Sequence, residues 1–399
     1  MTDATLRIPA RVHRAEEAAQ LDPVSFSKLV PALHRTDVLA DAFVRHATTV
    51  GVNPALLFEQ SLRESDKWRL AVPVRDLLGE LRSVPEWVVP RQLRTGGDAL
   101  RRAGVTGGFV LAFRSLVSGY AAPAGNKPLA FSGRLTQQAA RRLDETGRFV
   151  RAVSEPGGML PGGEGWMLAV KVRLMHASVR QLLLRSGRWD EPAWSVPINQ
   201  HDMLATILLF SSVWLEGCRM LGVHFSATES EDHMHLWRYV GYVMGVDETL
   251  LPSNEAHGAQ MQRFIHLTQG VPDEDSRALV GALLTPPADR PAPRNLQEQL
   301  LRDTFAAVLP AVCRYLIGDE LADALYLRRS PADVLVRSFA ATRRTGTALP
   351  KRLQVVARLE QLWGERYWNW SVGRVPGTLH YGFESPAALA GRPLVTVGA

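Results

Sequence analysis

Three residues in one apolar stretch have the types and the spacing to do chemistry: Arg173, His176 and Arg180. They fall within the run WMLAVKVRLMHASVRQLLL, residues 166–184, where most positions are apolar. At helical spacing such a run reads as a helix buried on most sides. Offsets of three and four place the three polar residues along one stripe over two turns. An imidazole between two permanent cations has little reason to sit in a core, because buried polar and charged groups need partners. A metal, a cofactor or an anionic partner would supply one. The competing explanation is a histidine satisfied by its own fold. Among cofactors, haem answers all three residues at once, with iron on the imidazole and two propionates on the guanidiniums.

The elements around this helix read as helices too. Residues 1–22 are polar and predict a flexible lead-in. From Asp22 the apolar period is helical, with two helices before Gly51 and two more between Leu56 and Arg82, where Pro73 breaks or restarts the pattern. PEWVVPRQL, 85–93, predicts an extended crossing, and GGDALRRAG a short helix between glycines. Gly107 and Gly108 allow close approach, either to another helix or to a flat ligand. Leu129–Val153 predicts a long amphipathic helix interrupted near Gly147. On it Arg142 and Thr146 stand one turn apart, with Glu145 beside them. EPGGMLPGGEG, 155–165, is a Gly/Pro loop that ends one long helix and starts the next. Asn199 or Asp202 offers a cap for the helix MLATILLFSSVWLEGCRMLG. His233 and His235 are two apart, so on a helix they point different ways and share no metal; no HExxH is present. A Pro-rich break at 286–293 and a last helix at Lys351–Arg366 complete the pattern. No stretch alternates as a strand does, and no repeat appears. The expected fold is all-α: one helical domain over 23–366 with its core at about 100–330, and a loosely structured tail at 367–399.

Composition narrows the function classes. The chain has 399 residues, is 46% hydrophobic and 22% charged, and so suits a globular protein rather than a disordered one. The net charge of +6 is spread along the chain with no basic arm or binding motif, so no nucleic-acid partner is expected. Cys218 and Cys313 form no metal-type pair, which fits a reducing compartment. The N-terminus, MTDATLRIPARVHRAEE, has no apolar core and no twin arginine, so no secretory signal is read and a cytoplasmic location is expected. The most apolar long run, Met203–Leu221, has the length of a membrane span but carries Glu216 and Arg219; a buried helix is the expectation.

RLMHASVR (173–180), PINQHDMLAT (197–206) and ESEDHMHLWRYVGYVMGV (229–246) together resemble the rubber oxygenase family, which includes the latex-clearing proteins and the MpaB-type oxygenases. The resemblance implies a globin-like helical core with one haem b, His176 as its iron ligand, and Arg173 and Arg180 in the same motif. It also implies that Arg142 and Thr146 line the distal side. The sequence departs from the latex-clearing pattern at two places. Glu145 stands where those proteins have a Lys, and Asn126 stands near the position of an upstream Glu. Glu145 is open to two readings, a distal acid or base and a solvent-facing side chain.

Two function classes follow. The first is a haem-dependent oxygenase that uses O₂ to oxidise or cleave a C=C bond in an apolar prenyl- or terpenoid-like molecule. The second is a haem or lipid carrier or sensor without turnover, lining the same pocket with the same helix.

Overall fold

In the computed structural model the described residues are 8–64, 66, 69–131, 139–285 and 295–346. The first residues of the expected lead-in, the Pro-rich break, the 351–366 helix and the 367–399 tail lie outside them. No strand occurs among the described residues. The helices are α1 (Ala15–Leu21), α2 (Pro23–Ala32), α3 (Val38–Thr49), α4 (Pro54–Arg63), α5 (Val72–Arg82), α6 (Pro90–Val110), α7 (Val117–Tyr120), α8 (Lys127–Ala130), α9 (Ala139–Ser154) and α10 (Glu164–Arg185). They continue as α11 (Glu191–Trp194), α12 (Gln200–Phe210), α13 (Ser212–Met220), α14 (Ala227–Val243), α15 (Glu255–Thr268), α16 (Glu274–Leu284), α17 (Leu296–Ile317), α18 (Asp319–Ala324) and α19 (Ala332–Gly346). A π-helical turn, Leu111–Leu116, joins α6 to α7.

The all-helical expectation holds, and three local readings do not. Residues 15–21 do not fray: AEEAAQL is a strong helix former, and Ala18 is fully buried. The extended crossing ends at Pro90, which opens α6 at its first turn, where a missing N–H costs nothing. α9 runs through Gly147 without a break.

One contiguous apolar core extends from Ala18 to Leu325. α10 crosses it, packed against α3 on one side and α9 and α14 on others. Glu164 sits in its first turn, where a carboxylate suits the positive helix end. Its last turn closes at Ser186, whose hydroxyl donates to the Leu183 carbonyl, and at Gly187, φ +67°. The glycine loop before it lets α9 and α10 meet closely. A Cβ on Gly165 would lie 2.6 Å from the Val153 Cα and 2.7 Å from the Ala152 carbonyl oxygen, so only glycine fits there. Gly107 likewise serves helix packing, against the Trp214 ring. Asn199 caps α12, its side chain accepting from the Asp202 N–H at 2.9 Å. The stretch Gln200–Met220 is long and apolar enough to cross a membrane, but it is two helices broken at Ser211, and 61% of it is buried inside the fold.

Candidate functional site

α10 presents two faces with opposite characters. A helix turns about 100° per residue, so Arg173 and Arg180 lie within about 20° of each other while His176 stands about 40–60° to one side. That offset separates them in space. Arg173 and Arg180, 2% and 1% exposed, point at α3 and α5. Arg173 donates from Nε and Nη2 to the two oxygens of Asp37 at 2.6 and 2.9 Å, and from Nη1 to Glu80 at 2.6 Å. The paired carboxylates hold its guanidinium charged despite burial. Gly245, φ +85°, makes room for the pair, since a Cβ there would come within 2.1 Å of Asp37 Oδ2. Arg180 donates to Asp41, to the Pro197 carbonyl at 3.1 Å and to the Ile198 carbonyl at 2.8 Å. Neither arginine lines the cavity described next. Their expected role as propionate partners is therefore corrected: each already has its anion, supplied by a carboxylate more than ninety residues earlier in the chain.

The other face looks into a cavity of about 890 Å³. Val172, Met175, His176, Val179 and Leu183 line it, a stripe at offsets of three and four. Phe149 of α9, Met203, Ile207 and Phe210 of α12, and Trp237 of α14 supply further apolar wall. The π-helical turn brings Ser115 and Leu116 to the same space, and Ser115 is fixed by a 2.7 Å hydrogen bond to the Leu209 carbonyl. Sequence periodicity gave no hint of that turn, because a single π-turn leaves the apolar pattern of its helix almost unchanged.

His176 makes no hydrogen bond to the described residues, and its Nδ1 is shielded from solvent with no partner. Burial, reinforced by the Arg180 guanidinium and partly offset by Asp37, pulls its pKa down to about 4. The imidazole is neutral at pH 7 and carries a lone pair. His233 is the contrasting case. It is fully buried, its Nε2 lies 3.0 Å from the Phe210 carbonyl, and its ring stacks on Trp214 at 4.6 Å. That histidine is satisfied by the fold. His235 accepts the Val89 N–H at 3.0 Å, away from His233, as the two-residue spacing predicted.

Thr146 and Glu145 line the cavity with His176, so the structure brings three of the expected site residues together. Arg142 lies on α9, and its side chain is outside the described residues. Asn126 also lines the cavity. Its amide nitrogen donates to the Tyr120 carbonyl and the Ser276 hydroxyl at 2.7 and 2.9 Å, while its Oδ1 has no partner among the described residues. Asp202 lines the wall too, held by a two-pronged ion pair with Arg11 at 2.6 and 2.8 Å that keeps its carboxyl ionised. Ile198, another lining residue, has φ +51°, a conformation that strains a β-branched side chain. The Arg180 guanidinium clasps its carbonyl and that of Pro197, which ties RLMHASVR to PINQHDM physically.

Among the described residues no group of three or more His, Cys, Asp or Glu is placed to hold a metal ion. A metal bound through His176 would have to bring its other ligands with it, as porphyrin iron does. A neutral, unpartnered imidazole on the wall of an apolar cavity fits that demand. The cavity also falls in the range of about 300–1,000 Å³ that suits cofactor-sized ligands.

Fold and site thus define a class: an all-α protein organised around an apolar cavity with one unpartnered imidazole. Residues 100–348 match the family described as the catalytic domain of the ER-bound oxygenase mpaB/B′ and rubber oxygenase. The chain belongs to that family, as the motifs at 173–180 and 197–206 predicted. Rubber oxygenase of Streptomyces sp. (strain K30) is 24% identical over 266 residues, covering 65% of this chain and 61% of that protein. The chain therefore matches less than two thirds of that relative's length. The structure of Latex Clearing Protein LCP in the closed state shares the fold, with a TM-score of 0.64 at 19% identity over 84% of this chain and 91% of that one.

Proposed function

We propose that this protein is a haem b-dependent oxygenase that oxidises, or cleaves at a C=C bond, an apolar prenyl- or terpenoid-like small molecule. One observation carries the reading: a neutral imidazole with no hydrogen-bond partner among the described residues, set in the wall of a largely apolar cavity of about 890 Å³. Membership of a family that includes oxygenases supports it. Haem would supply the redox-active iron for O₂ chemistry.

The chain's own residues do the rest. His176 would hold the iron through its lone pair, which, with a pKa near 4, is not taken by a proton at physiological pH. Val172, Met175 and Val179 flank the imidazole on the cavity wall with apolar side chains. Thr146 holds a hydroxyl donor, and Glu145 a carboxylate, on the wall of the same cavity, where polar groups act at low dielectric. Phe149, Phe210 and Trp237 give an unsaturated hydrocarbon a flat surface to lie against.

Hemin titration of the purified protein tests the ligand assignment. The parent should take up one equivalent and develop an intense Soret band, and His176→Ala should lose that stoichiometric uptake. Full haem retention by the variant would overturn the assignment. Turnover is separated from carriage by reducing the loaded protein and admitting O₂ with an unsaturated prenyl compound. Carbonyl products support the oxygenase. An unchanged spectrum with no product makes the protein a carrier.

A further inference from the structure

The cavity opens beside the end of α10, and there the helix carries a second pair of arginines. Arg185 and Arg188 line the cavity and are both exposed. Unlike Arg173 and Arg180, neither pairs with a carboxylate among the described residues. Arg185 makes a 3.3 Å hydrogen bond to the Gln181 side chain. The Arg188 guanidinium rests over the Phe131 ring, 5.5 Å from its centre. Phe131 also lines the cavity, so that stacking holds a cation at the rim. The tight turn at Gly187, φ +67°, folds Arg188 back toward the mouth instead of continuing the helix outward.

Of the other charged groups nearby, Glu145 also lines the cavity, and two have ion-pair partners within the fold. Asp202 is taken by Arg11, and Lys127 by Asp273 and Asp275. A largely apolar cavity with two guanidiniums at one edge matches a ligand with an apolar body and an anionic end.

We propose that Arg185 and Arg188 form a carboxylate-recognition rim for the ligand that fills the cavity. Guanidiniums suit the task because their planar fork meets a carboxylate with two parallel hydrogen bonds. Two ligands carry that chemistry: a porphyrin, through its propionates, and an apolar substrate with an acid head. The proposal rests on the cavity being a ligand site. Only the porphyrin source rests on the haem reading.

The test compares the parent with the double variant Arg185→Gln/Arg188→Gln; both positions are exposed, so the variant should fold as the parent does, checked by its melting temperature. One arm titrates each protein with hemin and with the uncharged dimethyl ester of the same porphyrin. The other arm titrates each with a fluorescent polyunsaturated C18 acid and with the corresponding alcohol. The parent should favour the charged ligand over its neutral analogue by about tenfold in at least one arm, and the double variant should lose that preference. Loss in the porphyrin arm assigns the rim to propionates, and loss in the fatty-acid arm assigns it to a substrate head. Equal charged-to-neutral ratios in parent and variant, in both arms, overturn the proposal. Failure of hemin to bind at all would instead count against the haem reading and leave the fatty-acid arm to decide the rim.

Discussion

The two long faces of α10 were built by one stretch of sequence and do opposite things. Toward α3 and α5, Arg173 and Arg180 are locked to Asp37, Glu80 and Asp41 with almost no exposure. Toward the cavity, the His176 Nδ1 has no hydrogen-bond partner among the described residues. A protein interior normally satisfies its polar atoms, so the paired arginines belong to the fold, while the imidazole with no partner among the described residues marks the side of α10 that is open to a ligand. Polar residues in an apolar helix are therefore not one signal but two.

The difference can be broken first at the closed face. Arg173→Met leaves Asp37 and Glu80 with buried or half-buried charge and no counter-ion, and should cost about 3–5 kcal/mol in urea denaturation. A loss under about 1 kcal/mol would mean that the ion pairs are not what braces this face.

Acid offers a smaller effect. His233 and His176 both have pKa values lowered to about 4, chiefly by burial. In the unfolded chain a histidine takes up its proton near pH 6.5, so the unfolded state binds more protons between about pH 6.5 and 4. Stability therefore falls as pH drops through that window and levels off below it. His233 alone should account for roughly 3 kcal/mol. His233→Gln should flatten the acid limb of a stability–pH curve; an unchanged limb would show that His233 does not resist protonation.

The smallest effect belongs to the open face. His176→Ala removes no hydrogen bond, so the ligand-free protein should lose no more than about 1 kcal/mol. The same change should remove stoichiometric hemin uptake. A large stability loss in the ligand-free protein would place His176 with His233, as a residue the fold needs for itself.

How far sequence reaches follows from the same helix. His176 was legible because its type and its surroundings conflict within a single short run. The tie between RLMHASVR and PINQHDM was legible as a motif, and the structure gives its physical basis in the Arg180 clasp. The partners of Arg173 and Arg180 were not legible. Asp37, Asp41 and Glu80 lie 136, 139 and 93 residues away, and no local pattern announces them. The helix starting at Pro90 was missed because proline breaks a helix inside but opens one at its first turn. Beyond α10, Glu145 and Thr146, the cavity wall could not be read, since it is assembled from separate helices and a π-turn whose apolar residues look like ordinary core.

The clasp sets a rule for change in the chain. Residues 181–196 begin and end on one guanidinium, which holds the carbonyls at 197 and 198 directly. The segment between carries Leu183, Arg185 and Arg188 to the cavity wall. Its two attachment points are not free, because Ile198 keeps its strained backbone, and so its place on the cavity wall, only while Arg180 grips it.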